Sequence, residues 1–225
     1  FCVVTWRQRM RIHALAKLEK FRRAFIADLS HEIKTPLTGI LGAADLMDAQ
    51  EPLAAMVKKE AGRLNALIQQ ILDLARLERD GETLRREEVD LAELVGATVT
   101  RFQPRARAAG IDLAVADDSA PSLRAVCDPQ LLEQALANLV ANAIRHSGSP
   151  TVRVSCGREG PDVRLSVEDA GRGVPPEETE RIFERFHRVD PARASETGGA
   201  GLGLAIVRRI ARLHGGDVVC EPVAP

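Results

Sequence analysis

His31 lies in Ser30-His31-Glu32-Ile33-Lys34-Thr35-Pro36-Leu37-Thr38, a stretch whose residue types and spacing suit a nucleophile on display. Phe21, Phe25, Leu29, Ile33 and Leu37 recur every four residues, which predicts an amphipathic helix with one buried stripe. His31 is two residues from both Leu29 and Ile33, roughly 200° around such a helix, so it projects away from that stripe. Asp28, Lys34 and Thr35 share its face, and Glu32 adjoins it. A neutral imidazole is nucleophilic near pH 7, and a neighbouring carboxylate can hold or accept its second proton. Taken by itself the window also fits a solvated helix surface with no chemistry. Zinc is not expected, because the helical His-Glu metal motif needs a second histidine four residues on, where this chain has Thr35.

Further patterns downstream could serve a reaction at that imidazole. Asn138 and Asn142 lie four apart in Asn138-Leu139-Val140-Ala141-Asn142-Ala143-Ile144-Arg145-His146 and share a helix face. Two neutral oxygen ligands beside cationic Arg145 suit a hydrated magnesium ion and a triphosphate, since Mg2+ keeps waters and takes few protein ligands. Capping of nearby backbone is the plainer use of such a pair. Glu168-Asp169-Ala170-Gly171-Arg172-Gly173 sets a carboxylate at a strand end before two glycines. There it could accept a hydrogen bond from an exocyclic amine while the chain turns beneath a flat ring, although alone the run is an ordinary turn. Phe183 and Phe186 form an exposed-looking aromatic pair, followed by an irregular polar run at 190–197. Gly199, Gly201 and Gly203 open the last predicted helix, where freed N–H groups and the helix dipole favour a phosphate. This is not the dinucleotide fingerprint, because no strand immediately precedes it and the spacing differs.

These residues need elements to hold them. The helical signal runs from about residue 9 to 48 and continues beyond Pro36, where a kink is expected. After a turn near Pro52, Leu53, Val57, Ala61, Leu64, Ile68, Ile71 and Ala75 keep a heptad spacing, widened by Met56, Leu67, Leu72 and Leu74. Two such wide stripes exceed what one hairpin can bury, which predicts a symmetric dimer forming a four-helix bundle. Beyond Gly81 the pattern changes. A short strand or linker at 83–89 leads to a helix capped by Asp90 and stopped by Gly110, then strands at 111–115 and 123–127. Asp128-Pro129 starts the asparagine-bearing helix. Paired strands follow at 151–155 and 163–167, then a helix at 202–213 and a strand at 217–220. The expected second domain is a mixed α/β sandwich with helices against one sheet.

Composition narrows the function. The chain has 225 residues, 45% apolar content and a net charge of −1, so it can bury a core and presents no broad basic surface for nucleic acid. Tyrosine is absent and aromatics make up 3%, which disfavours binding by base stacking. Cys2, Cys127, Cys156 and Cys220 form no Cys-x-x-Cys pair and suit a reducing, cytoplasmic setting. Phe1-Cys2-Val3-Val4-Thr5-Trp6 followed by Arg7, Arg9 and Arg11 fits either the last turns of a membrane span with a cytoplasmic basic flank or a hydrophobic helix start.

Nearly the whole chain resembles the bacterial two-component sensor histidine kinases. Ser30 to Leu37 is similar to their H-box, Asn138 to Asn142 to the N-box, and Asp169 to Gly173 to the G1 box. Phe183 to Phe186 is similar to the F-box and Gly199 to Gly203 to the G2 box. The order and spacing of these boxes are very specific. The resemblance implies an α plus α/β protein: a dimeric helical hairpin followed by an α/β sandwich of the Bergerat ATP-binding type. It divides the chain into a signal-transmitting helix at 1–20, a dimerisation and phosphotransfer domain at 21–80, and an ATP-binding domain at 81–225 that looks truncated at its C-terminus.

By the same resemblance, ATP is the phosphoryl donor, Asp169 recognises the adenine amino group, and Gly171 and Gly173 shape its turn. Asn142 holds Mg2+ with Asn138 supporting the triphosphate site. Arg145 and Arg188 contact phosphate, and Gly199, Gly201 and Gly203 let a lid close. His31 accepts the phosphoryl group, Glu32 manages its proton, and Thr35 occupies the position that orients water for a phosphatase reaction. The implied partners are a second copy of the chain and the receiver domain of a response regulator, with the parent anchored in the bacterial inner membrane. Ala200 stands where many relatives have threonine, and the chain ends without their glycine-rich closing strand. Two other functions compete: a non-catalytic ATP-binding scaffold, and an ATP hydrolase like those of gyrase or mismatch repair. The hydrolases carry a glutamate base four residues before the magnesium asparagine, where this chain has Asn138.

Overall fold

The structure, a computed structural model, describes residues 35, 36, 38–40, 42, 51–78, 84–146, 148–189 and 200–221. His31, Glu32, Gly199, the apolar run at 1–6 and the polar segment at 190–197 lie outside these residues. The chain divides into two compact units, Phe1–Gln69 and Gln70–Pro225.

In the first unit Thr35, Pro36, Thr38, Gly39, Ile40 and Gly42 are helical, so the helix continues past the proline, which is itself buried. Helix α1 (Glu51–Leu77) carries the widened heptad stripe. The two helical segments meet at Gly39: a methyl group there would lie 3.2 Å from Glu60 Cγ. That approach gives the predicted hairpin one fixed point of contact. Along α1, Met56, Ile68 and Leu72 remain 49%, 40% and 47% exposed, while Leu67 is buried. Among the described residues no helix is long and apolar enough to cross a membrane.

Among its described residues the second unit contains the last turns of α1 and five strands. Strand β1 (Glu87–Asp90) leads into α2 (Leu91–Ala108), whose N-terminus is capped by Asp90 Oδ1 accepting from Ala92 and Glu93 N–H. Strand β2 (Asp112–Val115), β3 (Arg124–Cys127) and α3 (Pro129–His146) follow. Then come β4 (Thr151–Glu159), β5 (Asp162–Asp169), two short 3-10 turns and α4 (Gly203–Leu213). The single sheet expected from the sequence is two sheets. β1 pairs antiparallel with β3, whereas β2 runs parallel to β4 and β4 antiparallel to β5. Leu91 N–H donates to Leu123 O at 2.8 Å just past the Asp90–Arg124 end of the β1–β3 ladder.

The strand expected at Asp217–Cys220 is also absent: that segment is irregular. Asp217 Oδ1 takes the Val218 N–H at 2.9 Å, a local bond that competes with a ladder, and Val219 is 62% exposed. Glu221 nonetheless pairs with Arg164 of β5. The core lies between sheet and helices, with Leu91, Val95, Leu113, Leu136, Val140, Val152 and Val154 fully buried or nearly so. Burying each of these side chains stabilises the fold by about 1.5–3 kcal/mol before chain entropy is counted.

Helix α4 is tied to the start of α3 and to α1. Asp128 N–H donates to His214 Nε2 at 3.0 Å, while His214 Nδ1 lies 2.9 Å from Ile210 O. A backbone N–H can only donate, so Nε2 accepts and Nδ1 carries the hydrogen. Arg209 Nε donates to Leu77 O at 2.7 Å, Gln134 Nε2 to Asp73 Oδ2 at 2.6 Å, and Arg185 pairs with Glu78. The carbonyls and carboxylates at the C-terminal end of α1 thus find cationic and amide donors.

Candidate nucleotide site

Helix α3 begins at Asp128, whose Oδ1 accepts from Leu131 N–H, with Pro129 as the first helical residue. Leu136, Val140, Ala143 and Ile144 are buried, which forces the opposite face outward. Asn138, Asn142 and His146 lie at i, i+4 and i+8 and line that outer face. Both asparagines are half-buried. A methyl group at Gly203 would sit 3.6 Å from Asn138 Oδ1, so the first turn of α4 faces the asparagine stripe.

Gly201 and Phe186 explain why the glycine run must be what it is. Gly201 has φ +69° and Phe186 has φ 60°, and Phe186 N–H donates to Gly201 O at 3.0 Å. A Cβ at Gly201 would lie 2.8 Å from both His187 O and Phe186 C, closer than real side chains approach. Two left-handed residues therefore clasp backbone to backbone, which only glycine permits on one side. The sequence reading gave this glycine a phosphate role. The geometry gives it a joint between the aromatic loop and α4. Glu178 supports the same loop, accepting from Arg181 at 2.7 Å and pairing with His187.

At the other end, Asp169 closes β5 opposite Val152. Gly171 N–H donates to Asp169 Oδ1 at 2.9 Å, which fixes the carboxylate across the turn, and Gly173 takes φ +69°. Buried Ser149 also reaches this turn, its Oγ accepting from Ala170 N–H at 3.1 Å. Burial raises the Cys220 thiol pKa, and Asp169 raises it further, so the irregular 217–221 segment runs beside the turn.

Charge gathers where α3 ends. Partial desolvation lowers the Arg145 pKa, and the guanidinium groups of Arg105 and Arg188 lower it further. His146 is likewise pushed down, first by desolvation and then by Arg145, Arg188 and Arg172. Arg145 and Arg188 thus feel each other's charge, with Arg105 acting on Arg145 and Arg172 on His146. His146 was legible as the third member of the asparagine stripe, and Arg172 lies between the turn glycines. Arg105 stands on α2 and carried no sequence signal. Thr35 is exposed on its helix in the first unit.

Among the described residues no group of three or more His, Cys, Asp or Glu could hold a metal. The donors present are amide oxygens on one helix face beside a cluster of cations. That set fits a hydrated Mg2+ carried by a polyphosphate, and does not fit an ion held by protein alone.

Comparison with known proteins yields two family matches. Residues 21–80 match the His Kinase A (phospho-acceptor) domain, and residues 127–224 match the histidine kinase-, DNA gyrase B- and HSP90-like ATPase domain. The chain is 38% identical over 211 residues to the sensor-like histidine kinase SenX3 of Mycobacterium tuberculosis, covering 90% of this chain and 51% of SenX3. It thus spans about half the length of that relative. The crystal structure of histidine kinase ThkA in complex with response regulator protein TrrA superposes with a TM-score of 0.74 at 26% identity, covering 96% of this chain and 61% of that one. Full-length ShkA in complex with AMPPNP gives 0.63 at 33% identity, over 87% of this chain and 42% of that one.

Proposed function

The chain belongs to the two-component sensor histidine kinases, and from that premise we propose that it transfers the γ-phosphoryl group of ATP to His31 and then to an aspartate of a response regulator. One observation carries the reading. The asparagine stripe of α3, the glycine-led start of α4 and the Arg145, Arg172 and Arg188 cluster border one another, with the Asp169 turn contributing Arg172. Guanidinium groups gathered beside amide oxygens are the features a triphosphate would satisfy.

The roles follow from the residue chemistry. Asp169 Oδ2 accepts from the adenine amino group while Oδ1 stays bonded to Gly171. Arg145 and Arg188 neutralise phosphate charge, Asn142 holds Mg2+, and Asn138 orients the phosphates from its place beside Gly203. The ion supplies further neutralisation of the phosphate oxygens when bound. One ring nitrogen of His31 attacks the γ-phosphorus as its bond to the β–γ bridging oxygen breaks and ADP leaves. Glu32 holds the proton on the other nitrogen. Thr35, one helical turn along, is assigned the positioning of water for removal of phosphate from the regulator.

A homodimer is supported by the exposed Met56, Ile68 and Leu72 on α1, a spacing of apolar residues that a second hairpin would cover. The regulator partner is supported by the ThkA–TrrA complex, and the nucleotide by the AMPPNP complex of ShkA. The buried, unpaired Cys127 and Cys156 thiols suit a cytoplasmic setting. Anchoring of the parent protein in the inner membrane rests on the apolar 1–6 run and its arginine flank.

Incubation with γ-labelled ATP and Mg2+ tests the reading. The expected product is an acid-labile, base-stable label that His31→Gln removes. Label that survives in His31→Gln, or nucleotide binding with no label, would overturn it, the latter leaving a scaffold.

A further inference from the structure

Ser149 has no place in the motifs, yet it is 4% exposed and central to the turn that presents Asp169. The β4–β5 ladder ends at the pair Val152 and Asp169, and Pro150, just before β4, has no N–H to offer. Past that pair a side chain takes over the work of a strand. Ser149 Oγ donates to Thr151 O at 2.7 Å, accepts from Thr151 N–H at 3.1 Å, and accepts from Ala170 N–H at 3.1 Å. The next N–H along, that of Gly171, goes to Asp169 Oδ1 at 2.9 Å. Ala170 N–H is thus satisfied by a hydroxyl instead of a carbonyl of β4, which lets the chain leave the sheet one residue after the carboxylate.

We propose that Ser149 is a positioning residue for adenine recognition: its hydroxyl anchors Ala170 N–H to the start of β4 and so fixes where the Asp169 carboxylate points. This rests on the reading of Asp169 as the acceptor for the adenine amino group. Without the hydroxyl, Ala170 and Thr151 N–H groups lose a partner inside a buried joint and the turn relaxes to recover bonds elsewhere. The carboxylate is then no longer held in one place. A hydrogen bond to a charged acceptor depends steeply on distance and angle, so displacement costs base discrimination before it costs phosphate binding.

The test compares ATP with purine riboside triphosphate, which lacks only the 6-amino group, in equilibrium binding to the full chain with Mg2+. Wild type is expected to prefer ATP by about tenfold or more, the usual worth of a bond to a charged group. Asp169→Asn is expected to remove most of that preference. Ser149→Ala is expected to cut it to about threefold or less, since a misplaced acceptor retains only part of the bond, while binding of the purine nucleotide changes little. Ser149→Thr, which keeps the hydroxyl, should restore the preference. A merely structural role would weaken both nucleotides alike and leave their ratio intact.

If Ser149→Ala does not fold, the pair Ser149→Thr and Ser149→Val makes the same comparison at equal volume. Loss of preference in Asp169→Asn with full preference in Ser149→Ala or Ser149→Val would overturn the proposal alone. A wild type indifferent to the 6-amino group, or an Asp169→Asn variant that keeps the preference, would overturn the reading of Asp169 and this proposal with it.

Discussion

The Asp169 turn and the cation cluster at the end of α3 belong to one proposed site but are built in opposite ways. At the turn, Ser149, Ala170, Gly171 and Asp169 satisfy one another through short hydrogen bonds continuous with the β4–β5 ladder. Around α3 the groups repel: Arg145 feels Arg105 and Arg188, and His146 feels Arg145, Arg188 and Arg172. One end consists of hydrogen bonds already made, and the other gathers like charges that an incoming anion would offset. A base-recognition end gains from being preorganised, because the shape it must match is fixed. A phosphate end gains from stored repulsion, because the incoming charge relieves it.

The largest effect tests the joint between the two halves. Gly201→Ala forces a Cβ against Phe186 and His187 backbone at a left-handed position, and is expected to cost about 2–4 kcal/mol from strain and overpacking. Thermal unfolding should show a midpoint lower by several degrees, with nucleotide binding lost; an unchanged midpoint would mean the clasp is not rigid. Next, Asp169→Asn should weaken ATP by about 10–100-fold, the loss of a hydrogen bond to a charged group, with little change in stability. If stability falls as much as binding, the turn is not an independent preorganised end.

The pH response sharpens the contrast. Partial desolvation and the neighbouring arginines hold His146 below the ordinary imidazole range, so its folded pKa lies beneath its unfolded one. The unfolded chain then binds more protons in that window. This part of the stability is complete above the unfolded value of about 6.5 and is lost as pH falls through the depressed folded pKa. A nucleotide that neutralises Arg145, Arg172 and Arg188 should raise the His146 pKa and draw in a proton. The gain in melting temperature from Mg2+ and ATP should therefore grow between pH 7.5 and 6 in wild type and grow less in His146→Gln. Equal growth in both would remove His146 from the cluster.

The smallest effect falls on binding alone. Arg172→Gln should leave the stability of the nucleotide-free protein at about pH 7 unchanged, because its neighbour His146 is uncharged there, while weakening ATP a few-fold. A destabilised nucleotide-free variant would show that Arg172 is held by attractive partners.

Local signals in the sequence located most of these parts. The Asp90 and Asp128-Pro129 caps place α2 and α3, period-two alternation places β2 to β5, and the spacing of Asn138 and Asn142 puts both on one face. Each depends on contacts within a turn or a strand, so neighbouring residues suffice to specify it. The pairing of β1 with β3, the division into two sheets and the irregular Asp217–Glu221 segment were not legible. The first two depend on partners across 30 residues or more, and a short strand such as β1 looks the same whether paired or not. The third turns on the Asp217 side chain taking the Val218 N–H, a bond that competes with a strand ladder.

The site follows the same division. Residue types and order determined that an acceptor carboxylate, an asparagine pair, a cation at 145 and a glycine-led helix would exist. Tertiary structure decided that Gly201 serves a backbone clasp against Phe186, that Arg105 of α2 joins Arg145, and that the Ser149 hydroxyl ends the ladder beneath Asp169. Those outcomes are set by which backbones approach within bonding distance once the core closes, and no spacing along the chain encodes that approach.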